Sequence, residues 1–267
     1  MPPTAYNYLE DYLTEIRSQG RYAFTWEEIK AKFDLSDKAL NQNLYRLKSK
    51  KKVAQIRKGF YAIITPEYIR QGMLPPALFI DDMMKSLKKK YYIGTVSAAA
   101  LYGAAHQQPM EYFVITERPA LRAIKNKKLK INFYVKKEWS EQDVDQKKTD
   151  AGYINVSIPE LTALDLFYYL ESIGLNRAFT ILQELAAEIK VQNLVKVAKR
   201  YPQTVAIQRL GYVLDKELCD HKFAGPLLKV LKERKYFPVP LSLSKRKEGE
   251  IDTQWKVIKN TTLESDL

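Results

Sequence analysis

Two helix starts within a dozen residues constrain this chain more than any other feature. In "FTWEEIKAKF", Thr25 and Glu28 have the spacing of a capping box, in which each side chain satisfies the other residue's backbone N–H. Phe24 and Ile29 are placed to staple the entry, and the spacing predicts a helix from Trp26 to about Phe33. Asp34-Leu35 leaves only a tight connection. Ser36 then caps a second helix, Asp37 suits its positive end, and Leu35 is set to pack on Leu40. An earlier helix, Asn7 to Gln19, carries Leu9, Leu13 and Ile16 on one face and is stopped by Gly20. After these helices, "VAQIRKGFYAII" alternates like a strand pair, with Gly59 supplying the permissive backbone of its turn.

Helix, helix, turn, helix, basic hairpin is the order of a winged helix-turn-helix. The charge distribution agrees. Between Lys38 and Lys58 there are eight Lys or Arg residues and no acid. On the helix after Ser36, Leu40, Leu44 and Leu47 face inward. At about 100° per residue the opposite face presents Lys38, Asn41, Gln42, Tyr45, Arg46 and Ser49. Amides pair with adenine edges, Arg with guanine, and Tyr or Ser with the backbone, so this face suits operator DNA. Arg57 and Lys58 sit at the tip of the hairpin, where a wing meets phosphate.

Composition supports a polyanion partner. The 267 residues carry a formal net charge of +13, and such a field concentrates polyanions around the molecule. A second acid-free basic block runs from Arg118 to Lys137, and a third lies between Lys222 and Lys247. The single Cys219 excludes an internal disulfide framework. No apolar run is long enough to cross a bilayer, and the N-terminus lacks a signal peptide's order of charge then apolar residues. The expectation is a cytoplasmic protein without a membrane partner.

The segment "RQGMLPPAL" reads as a domain boundary. The expected division is a winged helix-turn-helix over residues 1–72 and an α+β domain over 77–267. A helix from Ala77 to Lys90 begins the second part. "EYFVIT", "KINFYV" and "GYINVSI" read as strands, and a small-residue helix starts near Thr95 or Ser97. Ser157 and Glu160 have capping-box spacing around Pro159. Five helical patterns follow, from "PELTALDLFYYLESIG" to "AGPLLKVLKERK". The predicted class is therefore α+β: a winged helix-turn-helix, a small mixed sheet and a helical C-terminal bundle. The tail from about Tyr236 reads as partly irregular, with Trp255, Val257 and Ile258 able to pack back.

"YYIGTVSAAALYGAAHQQP", "IPELTALDLFYYLESIGLN" and "QRLGYVLD" resemble the AbiEi-type antitoxins of abortive-infection toxin–antitoxin operons. The resemblance spans roughly Phe24 to Asp215. It implies a DNA-binding domain that represses its own operon, and a C-terminal domain needed against a nucleotidyltransferase-like toxin. It leaves direct toxin contact and a homodimer on DNA open, and carries over no toxin-contacting residue. Arg122, Lys125, Lys127, Lys128 and Lys130 in the second basic block form a further basic surface, for the antitoxic role or for a longer DNA track. A ligand- or partner-responsive regulator without a toxin is the alternative.

No cofactor, metal or catalytic set is expected. The two histidines, His106 and His221, are far apart in sequence, and no phosphate-binding or dinucleotide glycine motif is present. Asp81-Asp82 reads as a helix surface pair, Ser157 as a cap, and Cys219 and His221 as neighbours that do not face each other. Tyr112, Phe113, Phe133 and Tyr134 read as core rather than as a base-stacking platform. A nucleic-acid-processing enzyme built on the "KINFYVKK" sheet stands as a third reading.

Overall fold

The computed structural model describes residues 5–104 and 111–263. It is a mixed α+β fold with helices and several sheets. The chain forms two compact units, neither of them continuous in sequence. One comprises Met1–Tyr92, Met110–Val135 and Gln146–Asn155. The other comprises Ile93–Pro109, Lys136–Asp145 and Val156–Leu267.

The first unit opens with α1 (Ala5–Ser18), which closes where the Gly20 N–H reaches Arg17 O, Gly20 taking a left-handed φ of 78°. β1 (Ala23–Thr25) runs directly into α2 (Trp26–Lys32). The capping box is present in full: Thr25 Oγ1 accepts from Glu28 N–H (3.1 Å), and Glu28 Oε2 from Thr25 N–H (2.8 Å). α3 (Asp37–Ser49) starts as expected, with Ser36 Oγ accepting from Ala39 N–H. β2 (Val53–Arg57) and β3 (Phe60–Ile63) turn at Lys58-Gly59, where Gly59 has φ 76°. The sheet order is β1-β3-β2, antiparallel throughout. β1 was not anticipated; it is short, and its signal is only the buried pair Ala23-Phe24. Leu9, Leu13 and Ile16 of α1 join Ile29, Leu40, Leu44, Leu47 and the sheet in one core.

The chain beyond Gly72 stays in this unit. α4 (Ile80–Ser86), which packs on β1, is shorter than the predicted Ala77–Lys90 helix. A 3-10 turn at Pro76–Leu78 precedes it, and Lys88, at φ 53°, ends it so that β4 (Tyr91–Ile93) can begin. The Asp81-Asp82 pair is not a plain surface feature, because the helix is half sunk. Asp81 accepts from Tyr91 OH (2.8 Å) and pairs with Lys85, while Asp82 faces Arg21 at 3.8 Å. Burial raises the Asp82 pKa above the ordinary carboxylate value.

The larger sheet is six-stranded. β5 (Tyr112–Thr116), β7 (Lys130–Val135) and β9 (Gly152–Ser157) fall on the three predicted strand segments. With β6 (Ile124–Lys125) and β8 (Val144–Thr149), the order is β6-β7-β5-β4-β9-β8. β5 and β7 are parallel, as are β4 and β9, and β6 returns antiparallel on β7.

The second unit is mostly helical. α5 (Thr95–Leu101) packs on α6 (Pro159–Tyr168). Then come α7 (Leu170–Ile173), α8 (Leu175–Leu185), α9 (Val191–Arg200) and α10 (Thr204–Tyr212), a π-helical turn at Val213–Glu217, and α11 (His221–Lys232). The expected capping box at Ser157 does not form. Pro159 at the first helical position makes Ile158 the cap residue, so Ser157 remains in β9 and is fully buried. Its hydroxyl bonds to Thr162 Oγ1 (2.7 Å) and Ile93 O, and Glu160 accepts the Lys190 N–H instead.

The tail folds back as a small sheet of β10 (Val239–Pro240), β11 (Glu250–Ile251) and β12 (Val257–Lys259), in the order β10-β12-β11. Trp255 is fully buried and fills a slot on α10 that exists only because residue 211 is glycine: a Cβ there would lie 1.9 Å from Trp255 Cζ3. Gln208 donates to the Phe237 and Trp255 carbonyls, and Arg209 to the Pro240 carbonyl. The indole Nε1 donates to Asp215 Oδ2 (3.1 Å), and His221 Nδ1 lies 3.0 Å from Asp215 Oδ1. Burial alone would raise the Asp215 pKa. Hydrogen bonds from Lys216, Trp255 and His221 outweigh it and hold the carboxyl below the ordinary value. A lowered folded-state pKa contributes stability above the ordinary carboxylate range, and that contribution is lost as pH falls through the folded value. Asp215→Asn should therefore be less stable than the wild type at neutral pH, with the gap closing in acid. Urea unfolding followed by tryptophan fluorescence at several pH values checks this; a pH-independent gap refutes it.

Candidate nucleic-acid interface

Helix α3 buries Leu40, Leu44 and Leu47 against the first unit's core, which fixes the direction of its other face. Lys38, Asn41, Gln42, Tyr45, Arg46 and Ser49 are all exposed there, and Tyr45 stands out at 67% exposure. Arg57 is half-buried at the end of β2, and Lys58 is exposed at the hairpin turn. The Trp26 N–H donates to Gly59 O (2.8 Å), tying that turn to the start of α2. Among the described residues Lys38, Arg46, Arg57 and Lys58 form no ion pair. The neighbouring acids serve other purposes: Asp37 pairs with Lys30 at the head of α3, and Glu10 with Lys52.

Two residues of the helix have roles that the sequence reading missed. Asn43 is buried. Lys48 is half-buried and donates to Gln55 Oε1 on β2 (3.3 Å), which braces α3 against the hairpin. The Ser49 hydroxyl donates to Tyr45 O within its own helix. A Ser49 contact to DNA must compete with that bond.

In the second basic block, Arg122, Lys125, Lys127 and Lys128 are exposed, the last three on or beside the β6–β7 turn. Asn126 Oδ1 accepts from the Lys128 N–H (2.8 Å) and shapes the turn. Lys130 is half-buried and paired with Glu111. Lys136, nominally part of the same run, is not a surface residue. Its Nζ lies 2.7 Å from Asp165 Oδ1, which also accepts from Tyr201 OH (2.7 Å), and it sits 4.1 Å over the Tyr201 ring. Burial, followed by the Asp165 charge, pushes the Tyr201 hydroxyl well above its ordinary range. Nearby Arg200 pairs with buried Asp143. Phe113 is fully buried and stacks on Tyr134, with centroids 5.7 Å apart, as core packing requires.

His106 lies outside the described residues. Among those described, no group of three or more His, Cys, Asp or Glu side chains is placed to hold a metal ion. Among them, too, no helix is long and apolar enough to cross a membrane.

In structure, the chain is similar to the RV2827C protein of Mycobacterium tuberculosis. The sequences are 16% identical, the match covers 92% of this chain and 89% of that one, and the TM-score is 0.64. At this identity the likeness is one of fold. A second match, an antigenic nucleotidyltransferase-like protein of Paracoccidioides brasiliensis, has 9% identity, covers 57% of this chain and 88% of that one, and has a TM-score of only 0.35. No curated protein matches in sequence. The family comparison is the specific one: residues 92–216 match the AbiEi antitoxin C-terminal domain. That segment holds the quoted stretches from Tyr92 to Leu101, Ile158 to Asn176 and Gln208 to Asp215, so the sequence over residues 92–216 is similar to the AbiEi antitoxin C-terminal domain.

Proposed function

We propose that the protein is a DNA-binding autorepressor and antitoxin, with α1 to β3 as a winged helix-turn-helix, α3 as its recognition helix and the β2–β3 turn as its wing. The match of residues 92–216 to the AbiEi antitoxin C-terminal domain supports the antitoxin and regulator role. One observation carries the DNA reading: an exposed polar face on α3 lies beside a hairpin whose cations have no protein counter-ion among the described residues. Phosphates would supply the missing charge. In this reading Arg46, Gln42 and Asn41 reach base edges, while Lys38, Tyr45, Ser49, Arg57 and Lys58 fix the protein on the backbone. The partner toxin is nucleotidyltransferase-like, as in the family this chain resembles. No catalytic role is assigned.

Binding to the DNA upstream of its own operon should weaken with salt. With about five to eight phosphates neutralised, log affinity should fall against log salt with a slope of about −5 to −7. Arg46→Glu with Arg57→Glu and Lys58→Glu should abolish that binding at physiological salt. Fluorescence anisotropy across a salt series decides the matter, and a flat dependence or no binding ends the DNA reading.

The exposed β6–β7 turn is proposed to serve neutralisation. Reversing Lys125, Lys127 and Lys128 to Glu should weaken growth rescue during toxin expression, since charge there guides encounter with an acidic partner. Operator affinity should stay within about threefold, because none of the three lies on α3 or the wing. Loss of operator binding with rescue intact would put this turn on the DNA track instead.

A further inference from the structure

One groove of the first unit is lined by neither α3 nor the wing. It has a volume of about 310 Å³ and lies between α1 and the segment that follows β3. That volume is at the lower end of the small-molecule range. Its apolar lining comes from Leu13, Ile63, Ile64, Pro66 and Ile69, and Ile69 is 46% exposed. Glu10 and Arg17 border it from α1, seven residues apart, which spaces them by about 10 Å along the helix.

These two borders differ in charge. At one, Glu10 is neutralised by Lys52 at 2.5 Å. At the other, the Arg17 guanidinium lies 3.5 Å over the Tyr22 ring and forms no ion pair among the described residues. Its Nη1 is buried with no hydrogen-bond partner. Glu67 feels the Arg17 charge without pairing with it. A partly buried cation without an acceptor is costly, and a carboxylate is the acceptor whose geometry matches its fork.

We propose that this groove binds a small amphipathic acid, with an apolar tail over Leu13, Ile63, Ile64 and Ile69 and a carboxylate on Arg17. The tail covers exposed Ile69, and the acid supplies a counter-ion that none of the described residues provides. The site is independent of the DNA-binding reading, because it is defined by direct binding to the free chain.

Isothermal titration of the full chain with octanoate, octanol and acetate tests it. Octanoate should bind saturably at one site. Octanol, which keeps the tail but lacks the charge, should bind at least about tenfold weaker, the scale of one charge-assisted hydrogen bond, and acetate, which keeps the acid but lacks the tail, at least about tenfold weaker through lost apolar burial. Arg17→Gln should bring octanoate down to the level of octanol and leave octanol unchanged. Ile69→Asp should weaken octanoate. Folding of both variants is read by circular dichroism, and the octanoate–octanol comparison on the wild type needs no variant. Absence of saturable octanoate binding overturns the proposal. So does octanol binding as tightly as octanoate, or an Arg17→Gln or Ile69→Asp variant that binds octanoate like the wild type.

Discussion

Replacing Asp165 by alanine is expected to cost about 3–5 kcal/mol, the scale of breaking a buried ion pair by removing one partner. A domain's whole stability is about 5–15 kcal/mol. Asp165 is fully buried and accepts from both Lys136 and Tyr201, so its loss strands an ammonium and a phenol in the interior. The penalty comes mainly from that stranding and less from the lost attraction. Combining Asp165→Leu with Lys136→Met and Tyr201→Phe should therefore recover most of the stability. Urea unfolding at constant m value measures both variants. If the triple variant is as unstable as Asp165→Ala, the attraction itself is the dominant contribution and stranding is not the cause.

The second large effect is at Gly211. Gly211→Ala would place its Cβ 1.9 Å from Trp255 Cζ3 and 2.3 Å from Cη2, and no small shift of a rigid indole removes such an overlap. The ring must leave its slot and give up its bond to Asp215. The expected cost approaches that of truncating the tryptophan itself, about 3–5 kcal/mol. A red-shifted tryptophan emission should accompany it. The sign should reverse in a Trp255→Ala background. There the steric conflict is gone, and alanine, a better helix former than glycine, should stabilise the chain by up to about 1 kcal/mol. A Gly211→Ala variant as stable as the wild type, or equally harmful in both backgrounds, refutes the fit.

What could be read from the sequence followed from chemistry that is local. Thr25 and Glu28 need only each other and the backbone between them, so their capping box was legible and is present. Ser157 and Glu160 repeat the same spacing and form no box. There the preceding strand and Pro159 hold Ser157 in the sheet, and a strand neighbour cannot be read from a four-residue pattern. The exposed face of α3 followed from helical spacing alone. Lys136 did not stand apart from Lys137, because what distinguishes them is Asp165 and Tyr201, distant in sequence. β8 was missed for a related reason: "VDQKKT" lacks a strand's apolar alternation, as an edge strand of a sheet is free to do.

The Trp255 slot also orders events in time. Gly211 and its helix are synthesised 44 residues before the indole that covers them, since 255 − 211 = 44. Without that indole the face of α10 at Gly211 has no cover, since the three nearest atoms there all belong to Trp255. A polypeptide cut between Lys235 and Trp255 would lack this cover and leave the Asp215 carboxylate short of one donor. Chaperones and proteases act on such surfaces. A chain truncated ahead of Trp255 is therefore expected to be cut faster by protease than the full chain, because its second unit lacks the cover over Gly211.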